Sequence, residues 1–174
     1  AVESITRDFD LYYAGIFLVN ENGDQAVLRA GSGEAGRSML AERHQLEVGG
    51  RSMIGQAVAT GQPRVASNVE AERVRFRNPY LPLTSTELAL PLRAGTQTVG
   101  ALTVQSTQPQ AFDETDIATF QGLADQIAIA LSNAQLISEQ TASLERINQL
   151  NQALLGGTWQ VGQGGANYQY SGDD

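Results

Sequence analysis

A chain of 174 residues and 18.6 kDa is the size of one domain with extensions, long enough to bury a core without cross-links. It has no cysteine and no lysine, its 11 basic residues are all arginine, and His44 is its one histidine, which removes thiolate nucleophiles, disulfides, Cys-ligated metals, P-loop lysines and Schiff bases. A net charge of −8 repels a phosphate backbone, so no nucleic-acid partner is expected.

Val2 to Phe9 predicts the end of an amphipathic helix. Tyr12 to Val19 is apolar at both alternate sets of positions, the pattern of a central strand covered on both faces. Asn22-Gly23-Asp24 signals a hairpin turn, with Gln25 to Ala30 as the return strand. Gly31 to Gly36 reads as a glycine-rich loop, Arg37 to Glu42 as a short helix, and Gln45 to Val48 as a third strand. Met53, Ala57 and Val58 recur at helical spacing, and Gly61 and Pro63 stop that helix before a strand over Arg64 to Ser67. Asn68 to Thr86 is the least regular stretch. Glu87 to Arg93 and Thr98 to Ser106 then form a predicted hairpin about Ala94-Gly95-Thr96.

The last predicted helix is the longest. Asp113 and Asp116 fit a capping box, and Phe112 and Ile117 fit a hydrophobic staple. Phe120, Leu123, Ile127, Ala130, Ala134, Ile137 and Leu144 make one stripe; Leu136, Ile147, Leu150 and Leu154 make a second. The helix is expected to run to about Leu155, or ~60 Å. The second stripe needs a partner, and a second copy of the chain is the economical one. Gly156 to Asp174, with six glycines in nineteen residues, reads as a linker or the start of a following segment. No apolar run approaches the ~20 residues of a membrane span, and Ala1-Val2-Glu3-Ser4 shows no export leader, so a cytoplasmic location is expected. The chain is expected to be a piece of a longer protein.

Five stretches in this order carry a resemblance: Tyr13-Ala14-Gly15-Ile16-Phe17-Leu18-Val19, Ile54-Gly55-Gln56-Ala57-Val58-Ala59-Thr60-Gly61-Gln62-Pro63, Leu88-Ala89-Leu90-Pro91-Leu92, Val99 to Ser106, and Phe112-Asp113-Glu114-Thr115-Asp116. Together they resemble a GAF domain, similar to those of bacterial multi-sensor histidine kinases in two-component systems. The resemblance covers about residues 1–138. It implies an α+β fold: an antiparallel sheet of five to six strands, terminal helices on one face, and a lid and ligand cleft on the other. Residues 139–155 would extend the C-terminal signalling helix, and 156–174 would be the linker. Arg51 to Gly61 and Asn68 to Pro79 correspond to the lid side. Pro91 marks a strand edge or bulge beside an opening.

Departures from the family narrow the ligand. Without lysine the cyclic-nucleotide signature is unmatched; without cysteine a covalent bilin is excluded, as is the methionine sulfoxide reductase activity of some relatives. The cofactor stays unknown. Candidate ligand-binding residues are Met53, Asn68, Arg73, Arg75, Phe76 and Tyr80. Arg73, Arg75 and Arg77 alternate and would clamp an anion in one reading; in the other they pair weakly with Glu70 and Glu72 on the surface. Tyr13 and Phe17 line a pocket or fill the core. Ser52 and Thr103 offer polar contacts. His44 is a haem ligand in one reading and a surface or capping residue in the favoured one. No catalytic residue and no metal site is expected.

The function these readings imply is a non-catalytic sensory and dimerisation module. It would bind an unidentified small molecule, pair through Leu136, Ile147, Leu150 and Leu154, and be covalently linked to an output domain. The alternative is a dimerising spacer whose cleft is collapsed.

Overall fold

The structure, a computed structural model, describes residues 1–67 and 78–160. Its elements are α1 (Val2–Asp8), β1 (Tyr13–Val19), β2 (Gln25–Gly31), α2 (Gly33–Ala41), β3 (Gln45–Glu47), α3 (Met53–Thr60), β4 (Arg64–Ala66), β5 (Thr86–Ala94), β6 (Gln97–Ser106) and α4 (Glu114–Gln160). The strands form one antiparallel sheet in the order β3-β2-β1-β6-β5-β4. This is the expected α+β architecture at the upper strand count.

The period of two along each strand builds two cores from one sheet. On one face Ala14 and Ile16 of β1, Leu88, Leu90 and Leu92 of β5, and Leu102 and Val104 of β6 pack with Val2 and Ile5 of α1 and with Phe120, Ala124 and Ala128 of α4. On the other face Tyr13, Phe17, Leu28, Ala89 and Ala101 pack with Met39 of α2 and with Met53, Ile54, Ala57 and Val58 of α3. β1 lies between β2 and β6 with both faces covered, which is why its sequence is apolar throughout.

Local chemistry sets the helix ends. The Ser52 Oγ accepts from Gly55 N at 2.9 Å to cap α3, and Gly61, at φ +63°, closes it in the left-handed conformation. Asp116 N donates to Asp113 Oδ1 at 2.9 Å and Asp113 N to Asp116 Oδ2 at 3.0 Å, the reciprocal box the sequence predicts for α4. Gln121 Nε2 donates to the Pro91 carbonyl (3.1 Å) and to Asp125 Oδ1 (2.8 Å). Arg93 grips Asp125 with two hydrogen bonds of 3.1 and 3.0 Å. That pair is about two-fifths exposed, so its value to stability is at most ~1 kcal/mol.

Four expectations need correction. Gly31 to Gly36 is not a loop, because α2 already starts at Gly33. Gly31 and Gly36 serve close approach instead: a Cβ on Gly36 would lie 2.2 Å from the backbone carbon and oxygen of Gly31. Pro91 does not border an opening. It sits where β5 runs past β4, which pairs only with Glu87 to Ala89, so its missing N–H has no strand to serve, and a bulge follows between Leu92 and Arg93. The buried seam of α4 passes through Phe120, Ala124 and Ala128 rather than through Ala130, which is exposed. The helix also continues beyond Leu155, through Gly156, to Gln160.

Ala1–Ser132 forms one compact unit, and the chain from Asn133 onward a second. In the second unit Leu136, Ile137, Leu144, Ile147, Leu150, Leu154 and Leu155 are all more than half exposed. No described helix is long and apolar enough to cross a membrane.

The glycine contact gives a matched pair of substitutions. Gly36→Ala is expected to cost about 3 kcal/mol, because backbone lies where its methyl must go. Gly122→Ala, on an exposed turn of α4 with open space around it, should stabilise by about 0.5–1 kcal/mol. Urea unfolding of both variants checks the contrast.

Candidate functional site

The helices that cover the second face leave a cavity of about 190 Å³ between α2, α3 and the sheet. An apolar cavity of ~150 Å³ admits a benzene ring, so this one has room for a small organic molecule. Phe17, Met39, Leu46, Met53, Ile54 and Leu81 supply apolar wall.

The floor follows from strand pairing. Tyr13 of β1, Gln105 of β6 and Glu87 of β5 stand in one row across three strands; Gly15, Thr103 and Ala89 form the next, and Phe17, Ala101 and Pro91 the third. Polar side chains thus gather at one end of the face, while Gly15, Ala89 and Ala101 keep the rest of the floor low. Tyr13, Glu87, Thr103 and Gln105 all line the cavity.

These groups are joined by hydrogen bonds with a direction. Thr84 Oγ1 donates to Gln105 Oε1 at 2.6 Å, and Gln105 Nε2 reaches Glu87 Oε1 at 3.5 Å. Thr103 Oγ1 donates to the same oxygen at 3.1 Å. Thr103 and Gln105 are buried, so each needs its partner. Glu87 Oε1 is thus the shared acceptor of Thr103 and Gln105.

Tyr13 is 2% exposed. Its ring is laid along Gly15 and Gly31, where Cβ atoms would come within 2.6 and 2.8 Å of the hydroxyl oxygen. That hydroxyl is buried and has no hydrogen-bond partner among the described residues. Burial, aided by the charge of Glu87, pushes the phenol well above its ordinary range and keeps it protonated.

His44 also lines the cavity, its ring 6.1 Å edge-on from that of Phe17. It is half-buried, and its backbone N–H donates to the Met39 carbonyl at 2.9 Å beyond the end of α2. Partial burial lowers its pKa, and Glu42 pulls weakly the other way. No group of three or more His, Asp or Glu among the described residues is placed to hold a metal ion.

The sequence candidates separate as follows. Met53 lines the cavity. Tyr80 is half-buried against the adjoining core, beside the lining residues Pro79 and Leu81 but not on the wall. Asn68, Arg73, Arg75 and Phe76 lie outside the described residues. Ser52 and Thr103 both line the cavity, with the Ser52 Oγ already accepting from Gly55 N. Glu87, Gln105, Thr84 and Asn78 were missed. The signal for the first two was present: Glu87-Leu88-Ala89-Leu90 and Ala101-Leu102-Thr103-Val104-Gln105 alternate strictly, and the odd positions are the small and polar ones.

Comparison with known proteins gives three kinds of match. Residues 1–132 match the family model described as GAF domain. The DNA-binding transcriptional activator HyfR of Escherichia coli K12 is 31% identical over 107 residues, 59% of this chain. This chain spans 16% of that curated relative's length. Among solved structures, the GAF domain from a phosphoenolpyruvate-protein phosphotransferase of Coxiella burnetii superposes with TM-score 0.69 at 19% identity, covering 79% of this chain and 81% of that one. Free methionine-R-sulfoxide reductase from Neisseria meningitidis, in complex with its substrate, gives 0.64 at 24% identity, covering 76% and 74%.

His44 yields a pH prediction. Its folded-state pKa lies below the ordinary 6.5, so the folded chain binds fewer protons than the unfolded one as pH falls through that value. The contribution of His44 is intact above about pH 7 and is lost as the pH drops below 6.5. His44→Gln should therefore flatten the fall in melting temperature between pH 7 and 5 relative to wild type, measured by calorimetry across that range.

Proposed function

Because the chain belongs to the GAF domain family, we propose that it is a sensory module of a larger signalling protein, non-catalytic, with a small molecule bound between the sheet and α3. One observation carries this reading: buried polar groups converge on the cavity from β5 and β6 while apolar side chains face them from α2 and α3. Concave sites of that composition are the usual form of a small-molecule pocket. The spacer alternative requires Met53, Ile54 and Phe76 to fill the space; Met53 and Ile54 line it, and Phe76 lies outside the described residues.

The reductase neighbour keeps enzymatic activity in view, but thiol chemistry has no agent in a chain without cysteine. The match to a transcriptional activator over a small part of its length supports a covalently linked output domain. The sequence resemblance favours a histidine kinase of a two-component system, in the cytoplasm, as the parent.

We further propose homodimerisation through α4. Leu136, Gln140, Ser143, Ile147, Leu150 and Leu154 repeat at alternating steps of four and three, the spacing of a coiled-coil seam. Its apolar members are all more than half exposed along the helix. Gln140 and Ser143 weaken the seam, and a weak seam shifts with little energy.

Native mass spectrometry of the purified chain tests both parts. The expected result is a dimer carrying a few hundred daltons of extra mass per chain, lost on denaturation. Ile147→Glu should convert dimer to monomer and leave the ligand mass in place. A monomeric wild type would overturn the dimer. A bare mass that stays bare after incubation with an extract of small metabolites would overturn the sensor reading.

A further inference from the structure

One polar group of the cavity lining is left unmatched by the fold. The Tyr13 hydroxyl is buried and has no hydrogen-bond partner among the described residues, whereas most buried polar atoms have one. Its position is set by backbone. Gly15 of β1 pairs with Gly31 of β2, and the far end of the ring lies over both because neither carries a Cβ to lift it away. Burial keeps the phenol protonated, so the unmatched group is a donor in want of an acceptor.

The neighbouring donors are already engaged. Thr84 Oγ1 donates to Gln105 Oε1, and Thr103 Oγ1 and Gln105 Nε2 are directed at Glu87 Oε1. Asn78 Nδ2 lies 3.1 Å from Met39 Sδ. Among the described lining residues the one permanent cation is Arg51, and it is exposed; burial holds His44 toward its neutral form. An anion taken into the cavity would give up its water without a buried countercharge from these residues. A neutral acceptor bears no such cost. Phe17, Met39, Leu46 and Ile54 supply apolar wall, which suits an apolar body.

We propose, resting on the sensor reading above, that Tyr13 selects the ligand: the cavity takes a compact, neutral, mostly apolar molecule whose carbonyl-type oxygen accepts from the Tyr13 hydroxyl. The volume agrees, since a six-membered ring needs ~150 Å³ of the 190 Å³ available. A ligand that displaces water from the hydroxyl must replace the acceptor that water supplies. An apolar molecule of the same shape covers the donor and leaves it unpaired, and a site built on one buried hydrogen bond rejects an analogue that lacks it.

The test titrates three probes, cyclohexanone, methylenecyclohexane and cyclohexanecarboxylate, into the whole chain by ligand-observed NMR and calorimetry. Cyclohexanone is expected to bind roughly tenfold more tightly than methylenecyclohexane, which differs by CH₂ for oxygen, and more tightly than the carboxylate. Tyr13→Phe should bring the first two affinities together, with its melting temperature at or above that of wild type because the unpaired donor is gone. A melting temperature several degrees lower would show that the hydroxyl is bonded within the unliganded protein, and would overturn the proposal. So would a preference for cyclohexanone that survives in Tyr13→Phe. The comparison on wild type needs no variant: equal binding of cyclohexanone and methylenecyclohexane, or tighter binding of the carboxylate, overturns the neutral-acceptor assignment. In that case a ligand mass in the native spectrum leaves the sensor reading standing, whereas binding of none of the three together with a bare native mass overturns both.

Discussion

Everything in the first unit depends on the register between β5 and β6. Leu88 faces Val104, Leu90 faces Leu102, and Glu87 faces Gln105. A slip of one residue in β5 would turn its three leucines into the cavity and drive Glu87 under α1 and α4. Burying that carboxylate among leucines without donors costs several kcal/mol at least, so the alternative register is closed. The hairpin fixes the choice: Ala94 pairs with Gln97 across Gly95, whose φ of +63° a side chain would strain. The bulge after Leu92 shifts the pairing once, at the end of the sheet away from Glu87.

The same register explains why the cavity can exist. A dry void of 190 Å³ would cost ~4–5 kcal/mol at ~24 cal/mol per Å³, a large part of the stability of a domain this size. A polar floor lets water occupy the space instead, and buried polar groups tolerate water well. The walls hold their position because backbone meets backbone at their bases. Gly36 of α2 rests on Gly31 of β2, and Gly55 of α3 rests on the Glu47 carbonyl, 2.1 Å from where a Cβ would stand. Gln56 ties the turn before α3 through the carbonyls of Gly49 and Gly50 at 2.9 and 2.7 Å. A cavity bounded by such contacts does not collapse by small side-chain shifts.

The sequence exposed the scaffold more readily than the site, for a physical reason. Capping and stop signals are local, so Asp113 with Asp116, and Gly61, could be read residue by residue. The unbroken apolar run of β1 marked a central strand covered on both faces. What a single strand cannot reveal is which of its neighbours stands beside it. Tyr13, Gln105 and Glu87 are 92 residues apart at the extremes, and only the order β1-β6-β5 brings them into one row. Glycine was the other blind spot, since close packing and a flexible loop leave the same mark in sequence. Gly31 to Gly36 read as loop for that reason, although Ser32 within it accepts from Ala14 N of β1 at 2.9 Å.

The sheet is one residue thick, so its two faces are not independent. Thr103 and Gln105 floor the cavity, while Leu102 and Val104, their immediate neighbours in β6, carry part of the surface on which Phe120, Ala124 and Ala128 of α4 pack. Small residues at Ala124 and Ala128 bring that helix near the strands, where it is held further by Gln121 on the Pro91 carbonyl and by Asp125 on Arg93. A displacement of β6 by a ligand on one side is therefore a displacement of the seat of α4 on the other. No loop or second layer intervenes to absorb it, and close-packed interfaces pass on such shifts rather than spread them.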